Sequence, residues 1–274
     1  MLEPGGRLIV VGLGNMGKAI VTGLLRAGLI DAGVVIAVDP HAPAVAGVRR
    51  VCDLSEVGPL RGTDAVLLAV KPQVFPAVSS ALAKAIGAAD DPGLLVVSIM
   101  AGLTSSSIAA ALGQRARVVR AMPNTPAQVG LGATAFAPGP GATEADAARA
   151  EQLLRATGPL VVRIDESLMD AFTAVAGSGP AHLFYLAEAM TAGAIAVGFD
   201  AKTADRIVRQ TLAGSTALLS AESAVSPAEL RARVTSKRGT TEAAVTLLEK
   251  AGVRDSTAAA IIASRDRGRE LGKG

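Results

Sequence analysis

Short apolar runs broken by glycine and proline organise the first half of the chain. Leu8-Ile9-Val10-Val11 has strand length, and after a glycine-rich turn Met16, Ala19, Ile20, Gly23, Leu24 and Ala27 recur at helical spacing. Val34 to Val38, Asp64 to Val70, Leu94 to Ile99, Arg117 to Ala121, Gly132 to Ala137 and Leu160 to Ile164 repeat the strand pattern. A short helical stretch is expected near Ala42 to Arg49, and a helix from Thr143 toward Thr157. Strands alternating with helices predict an α/β domain with a doubly wound, mainly parallel sheet. No strand pattern appears beyond Asp165-Glu166. From Ser167 the chain reads as helices, one to about Val197 and another from Ala201 toward Ala221. A capping box with proline in the first turn, Ser226-Pro227-Ala228-Glu229, opens a further helix. The expected division is residues 1–165 and an all-helical 166–274.

The first turn carries candidate chemistry. Gly12-Leu13-Gly14-Asn15-Met16-Gly17 is a Gly-x-Gly-x-x-Gly sequence between strand and helix. Gly12 suits the tight turn, Gly14 a close backbone approach to a pyrophosphate, and Gly17 close packing of helix on strand. Amides at the helix start, backed by the helix dipole, suit the anion. Asp39 ends the next apolar run at the spacing expected of a ribose-binding acid. The alternative is a chance glycine-rich turn; the strand, helix and Asp39 around it favour a Rossmann-type nucleotide site. Lys71-Pro72-Gln73, Met100-Ala101-Gly102 and Met122-Pro123-Asn124-Thr125-Pro126 follow later strands, so they fall on the same ligand-binding edge. Lys71 reads as a phosphate or ribose contact, against a solvated lysine. Asn124, stiffened by nearby prolines, reads as a wall for a nicotinamide ring, against an ordinary two-proline turn.

Composition narrows the partners. Half of the 274 residues are apolar and 19% charged, as in a globular protein. No apolar run approaches membrane-spanning length, and the first residues lack a secretory pattern, so no membrane association and a cytoplasmic setting are expected. Aromatic residues make up 2% of the chain and the net charge is +3. Base-stacking surfaces are thus nearly absent, and nucleic acid is not the expected partner. Cys52 is the only cysteine; it excludes an intramolecular disulfide, no metal site is expected, and its expected place is the core.

In the helical half, Ala176-Gly177-Ser178-Gly179-Pro180-Ala181 breaks two helices. Val234-Thr235-Ser236-Lys237-Arg238-Gly239-Thr240-Thr241-Glu242 joins another pair through hydroxyls and glycine. A simple cap by Thr240 or Thr241 would account for one of these residues; the full set suits a carboxylate at a helix start.

With these motifs the chain resembles the pyrroline-5-carboxylate reductases. The resemblance rests on the glycine turn, Ala69-Val70-Lys71-Pro72-Gln73, Met122 to Pro126, Gly177 to Ala181, and Val234-Thr235-Ser236 with Gly239-Thr240-Thr241. It implies a dinucleotide-binding domain, a helical dimerisation domain, and hydride transfer from NAD(P)H to the imine carbon of 1-pyrroline-5-carboxylate, giving L-proline. It implies a homodimer; some members assemble further, to decamers. By position, Ser236, Gly239, Thr240 and Thr241 would line the carboxylate pocket, with Thr241 catalytic at the ring nitrogen. Gly12, Leu13, Gly14, Asn15, Met16, Gly17, Asp39, Val70, Lys71, Pro72 and Asn124 would hold the cofactor, and Asp39 leans toward NADH. Two positions depart from the family pattern: Arg238 stands where a second glycine is frequent, and His182, where an aromatic residue is usual, is expected to pack. A 3-hydroxyisobutyrate-type dehydrogenase would need a helical catalytic lysine, and Lys202 and Lys250 lack a fitting motif. A non-catalytic nucleotide-binding dimer is disfavoured by Thr240-Thr241. The two cradles are expected to meet across a dimer seam.

Overall fold

The computed structural model describes residues 2–89, 93–113 and 115–272. Its eight strands are β1 (Leu8–Val11), β2 (Val35–Val38), β3 (Arg49–Val51), β4 (Ala65–Leu68), β5 (Leu94–Ser98), β6 (Ala116–Pro123), β7 (Ala133–Pro138) and β8 (Leu160–Arg163). They form one sheet in the order β3-β2-β1-β4-β5-β6-β7-β8. Every neighbouring pair is parallel except β6 and β7, so the last two strands run against the rest. Around this sheet lie helices α1 (Asn15–Arg26), α2 (Phe75–Gly87), α3 (Ser105–Leu112), α4 (Glu144–Leu154) and α5 (Met169–Phe172).

Alternation along the strands builds two apolar layers. Leu8 and Val10 of β1 join Ile20, Val21 and Leu24 of α1 in one cluster. Ile9 and Val11 point the other way, into a cluster with Leu82 and Ile86 of α2 and Ile108 and Leu112 of α3. Covered on both faces, β1, β2, β4 and β5 read as almost unbroken apolar runs, which made them visible in the sequence.

The helical half contains α6 (Gly179–Ala196), α7 (Ala201–Ala221), α8 (Pro227–Arg233), α9 (Thr240–Lys250) and α10 (Val253–Leu271). By compactness the chain divides into residues 1–178 with 264–274, and residues 179–263. Residues 166–178 thus pack with the sheet: Glu166 accepts hydrogen bonds from the Ser105 amide at 2.7 Å and its hydroxyl at 2.5 Å, and lies 3.3 Å from Arg120. The end of α10 belongs there too, with Ser264 Oγ 2.9 Å from Ser178 Oγ. In the second unit α6 has no buried residue. Phe184, Tyr185 and Val197 are 60, 75 and 78% exposed, a larger apolar surface than a chain working alone keeps. Among the described residues, no helix is long and apolar enough to cross a membrane.

Two local expectations are corrected. The stretch expected to be helical near Ala42 to Arg49 is irregular and ends in β3, which pairs in parallel with β2. Pro40 and Pro43 interrupt the helical hydrogen bonding, and Gly47 sits at φ +75°. Cys52, expected in the core, is exposed just after β3.

At the amino-terminal edge of the sheet, fully buried Asp64 bridges β1 and β4. It accepts from the Arg7 amide at 2.8 Å, the Arg7 guanidinium at 2.6 Å and the Arg61 amide at 3.0 Å. Asp64→Ala removes the acceptor of the Arg7 and Arg61 amides and the counter-charge of the Arg7 guanidinium, which keeps only the Val57 and Pro59 carbonyls, and is expected to cost about 3 kcal/mol. Urea unfolding measures the loss; a change below about 0.5 kcal/mol, the level of an ordinary surface substitution, would contradict this role.

Candidate active site

Strand order reverses at β1, whose neighbours β2 and β4 lead in opposite directions, and ligands of such sheets bind beyond the carboxyl ends there. A cleft of about 740 Å³ opens at that place, lined by the ends of β1, β2 and β4 and by residues after β3. Its floor is the glycine turn. Gly12 has φ +94°, and a Cβ on it would lie 2.8 Å from the Ala69 carbonyl. A Cβ on Gly17 would lie 2.4 Å from the Gly12 carbonyl oxygen. Gly14 differs: its φ is −65°, it caps α1 without a side-chain bond, and a Cβ on it would meet nothing within 4 Å. The space beside Gly14 is therefore free for a ligand. The amides of Asn15, Met16 and Gly17 have no carbonyl of their own helix to bond. Met16 also packs its side chain against the core.

Asp39 braces the turn. Its Oδ2 accepts the Leu13 amide at 2.8 Å, and its Oδ1 accepts the amides of His41 and Ala42 at 2.9 Å each. Burial works to raise its pKa, but these amides and the nearby His41 outweigh it, leaving the carboxyl below its ordinary value. The Leu13 amide is thus committed to Asp39. Val70 and Lys71 line the opposite wall, and Pro72 opens a short 3-10 turn after them. Lys71 is exposed and forms no ion pair among the described residues. His41, Cys52 and Asp53 also line the cleft; sequence reasoning gave them no site role, because β3, which delivers the last two, reads as polar.

Asn124 lies at the end of β6. Its Nδ2 donates to the Ala176 carbonyl at 3.0 Å and its Oδ1 accepts the Ala133 amide at 2.9 Å. The carboxamide is therefore engaged within the protein.

The second candidate cradle lies in the helical unit. Gly239 is the N-cap of α9 with no side-chain cap, which makes Thr240 and Thr241 the first two helical residues and not its caps. Among the described residues, the hydroxyls of Ser236, Thr240 and Thr241 form no hydrogen bond within the chain. A Cβ on Gly239 would lie 2.4 Å from Ser236 Oγ, which keeps this bend tight. Arg238 has φ 58°, the only positive φ of a non-glycine residue among those described. That conformation costs a side-chain-bearing residue about 1–2 kcal/mol and suits glycine. The Arg238 amide donates to Glu242 at 2.6 Å, which helps hold it. His182 is half-buried.

Comparison with known proteins agrees with both halves. Residues 166–271 match the family model described as pyrroline-5-carboxylate reductase dimerisation, and residues 7–102 the one described as NADP oxidoreductase, coenzyme F420-dependent. The pyrroline-5-carboxylate reductase of Methanosarcina acetivorans is 39% identical, covering 96% of this chain and 97% of that protein. The chain belongs to the pyrroline-5-carboxylate reductase family. The Pseudomonas aeruginosa reductase is 40% identical over 97% of this chain and 96% of its own length. The solved reductase of Coxiella burnetii superposes with a TM-score of 0.85 at 32% identity, covering 98% of this chain and 99% of its own. Membership makes the chain an NAD(P)H-dependent oxidoreductase with a dimerisation region, and the residues fit that cofactor, since open space at Gly14 adjoins uncapped amides.

The two glycines are expected to separate binding from folding. Gly14→Ala fits the backbone, so thermal stability should hold while NADPH affinity, measured by fluorescence titration, falls at least about tenfold. Gly17→Ala drives Cβ into a carbonyl and should lower stability by about 2 kcal/mol. Unchanged NADPH affinity in Gly14→Ala would contradict the assignment.

Proposed function

We propose that the protein reduces the C=N bond of 1-pyrroline-5-carboxylate to give L-proline, the last step of proline synthesis. The observation that carries the reading is the pairing of two anion cradles, at Gly12–Gly17 and Ser236–Thr241, in a chain whose relatives bear that activity in their names. When bound, NAD(P)H supplies the hydride. The amides of Asn15, Met16 and Gly17 hold its pyrophosphate, Gly14 lets the backbone approach, and Leu13, tied to Asp39, fixes the turn. Val70, Lys71 and Pro72 bound the other side, with Lys71 as the cation for phosphate or ribose. The loop at Asn124 closes the end of the cofactor site.

Ser236, Gly239, Thr240 and Thr241 hold the substrate carboxylate at the start of α9. The Thr241 hydroxyl orients the ring nitrogen. A protonated imine is already electrophilic at carbon, so alignment is the main demand on the protein. That demand agrees with a site built from amides and hydroxyls. Arg238 adds a positive charge beside the carboxylate. The apolar surface of α6 suits a homodimer through a second copy of the chain.

Asp39 bears on cofactor choice. An anion at this strand end accepts from a free ribose 2′-hydroxyl and repels a 2′-phosphate, which leans toward NADH. The comparisons lend that lean no support. The matched amino-terminal model is described as NADP oxidoreductase, coenzyme F420-dependent, and a solved Plasmodium falciparum relative, 24% identical and informative for fold alone, has NADP bound.

Oxidation of NAD(P)H on adding 1-pyrroline-5-carboxylate tests the reaction, and no oxidation with either cofactor would end the proposal. Thr241→Ala is expected to lower kcat by roughly 10²-fold while KM for the cofactor stays within about threefold. An unaffected rate removes Thr241 from the chemistry. Asp39→Ser should raise the NADPH-to-NADH ratio of kcat/KM at least about tenfold, about 1.4 kcal/mol; an unchanged ratio would leave Asp39 as a brace for the turn alone.

A further inference from the structure

Two separate motifs meet at one hydrogen bond. Residues Thr173–Gly177 form a single π-helical turn, closed by the Ser178 amide donating to the Thr173 carbonyl at 2.8 Å. Such turns leave helical hydrogen bonding irregular and recur at functional places. Four residues ahead of Ala176, where an α-helix would supply its donor, stands Pro180, which has no N–H. The Ala176 carbonyl is taken up instead by Asn124 Nδ2 at 3.0 Å.

The other end of the same carboxamide is equally committed. Asn124 Oδ1 accepts the Ala133 amide, the first residue of β7, at 2.9 Å. The orientation is fixed by its partners, one an obligate acceptor and the other an obligate donor. Asparagine at a helix start ordinarily caps its own turn. Asn124 stands at the start of the 3-10 turn Thr125–Val129 and makes no such bond. Its side chain spans from β7 to the π turn, and its backbone carries the loop after β6 on the ligand edge of the sheet. Gly177 permits a close approach of the same elements, since a Cβ on it would lie 3.2 Å from the Met122 methyl.

We infer that Asn124 is a positioning residue, a latch holding the loop after β6 against the Ala176 carbonyl, which Pro180 leaves without its α-helical donor. It acts on the reaction by fixing that loop, without its carboxamide touching the cofactor. The inference rests on the proposed reduction for its effect on rate, but the latch itself is measurable without substrate.

Two readouts test it. In the full-length protein without substrate, Asn124→Ala removes the acceptor of the Ala133 amide, whose hydrogen exchange should speed up at least about tenfold as its bond is lost. In the assay with NAD(P)H and 1-pyrroline-5-carboxylate, Asn124→Asp sets an oxygen against the Ala176 carbonyl. That should lower kcat at least about tenfold through misplacement, with KM for the cofactor within about threefold. Pro180→Ala restores a backbone N–H four residues ahead of Ala176. In that background Asn124→Asp should therefore cost at least about threefold less kcat, a coupling that general loss of stability would not produce. Unchanged exchange at Ala133, an identical kcat loss with and without Pro180→Ala, or a loss confined to cofactor KM would each overturn the latch. A wild-type protein inactive on 1-pyrroline-5-carboxylate would remove the proposed reaction, and the exchange result would still decide the latch.

Discussion

Close backbone approach at the end of β1 is the constraint on which the rest depends. The carbonyl of Ala69 presses on Gly12, and the carbonyl of Gly12 presses on Gly17, at separations that no Cβ tolerates. This crowding brings the start of α1 close onto the end of β1, where its first amides lie at the carboxyl edge of the strands. The buried carboxylate bridge of Asp64 ties β1 to β4 at the opposite edge, which keeps the two strands flanking the cleft in register. Asp39 then locks the turn from the β2 side by accepting the Leu13 amide. A ligand meets a surface whose donors are already oriented, and little is left for binding to reorganise.

The helical unit poses a different physical problem. Ala204 and Val208 are its buried apolar residues among those described, while α6 presents Phe184 and Tyr185 to the outside and Val197 is exposed just after it. Apolar surface of that extent is stabilised by a partner chain, and the residues concerned fall within the region that matches the dimerisation family model. The bend before α9 follows from the same economy of caps seen at α1. A glycine caps the helix start without a side-chain bond, and three hydroxyls beside it are uncommitted among the described residues. Arg238, held at positive φ by its bond to Glu242, shows that the chain tolerates local strain there to keep the bend.

Much of this was legible in the residues. The strands β1, β2, β4 and β5 are buried on both faces, so they are written as almost continuous apolar runs. The glycine turn was legible because sterics leave no other residue at Gly12 and Gly17. What the sequence hid has physical reasons as well. Strand β3 is Arg-Arg-Val at a sheet edge, where two side chains face solvent and the apolar signature disappears. Cys52 follows that strand and shares its exposure. The bond between Asn124 and Ala176 joins residues 52 positions apart, and it falls in a π turn that no periodicity announces. Arg238 stood out as a departure from the family pattern, but its cost became visible only as a backbone angle.

The central claim is that the uncapped amides at the start of α1 form the seat of the cofactor's pyrophosphate. A crystal structure of the protein with NADPH tests it directly. The account expects pyrophosphate oxygens within about 3.2 Å of the amides of Asn15, Met16 or Gly17, with the backbone of Gly14 against the phosphate. A nucleotide bound with its phosphates elsewhere, leaving those amides to water, would contradict it.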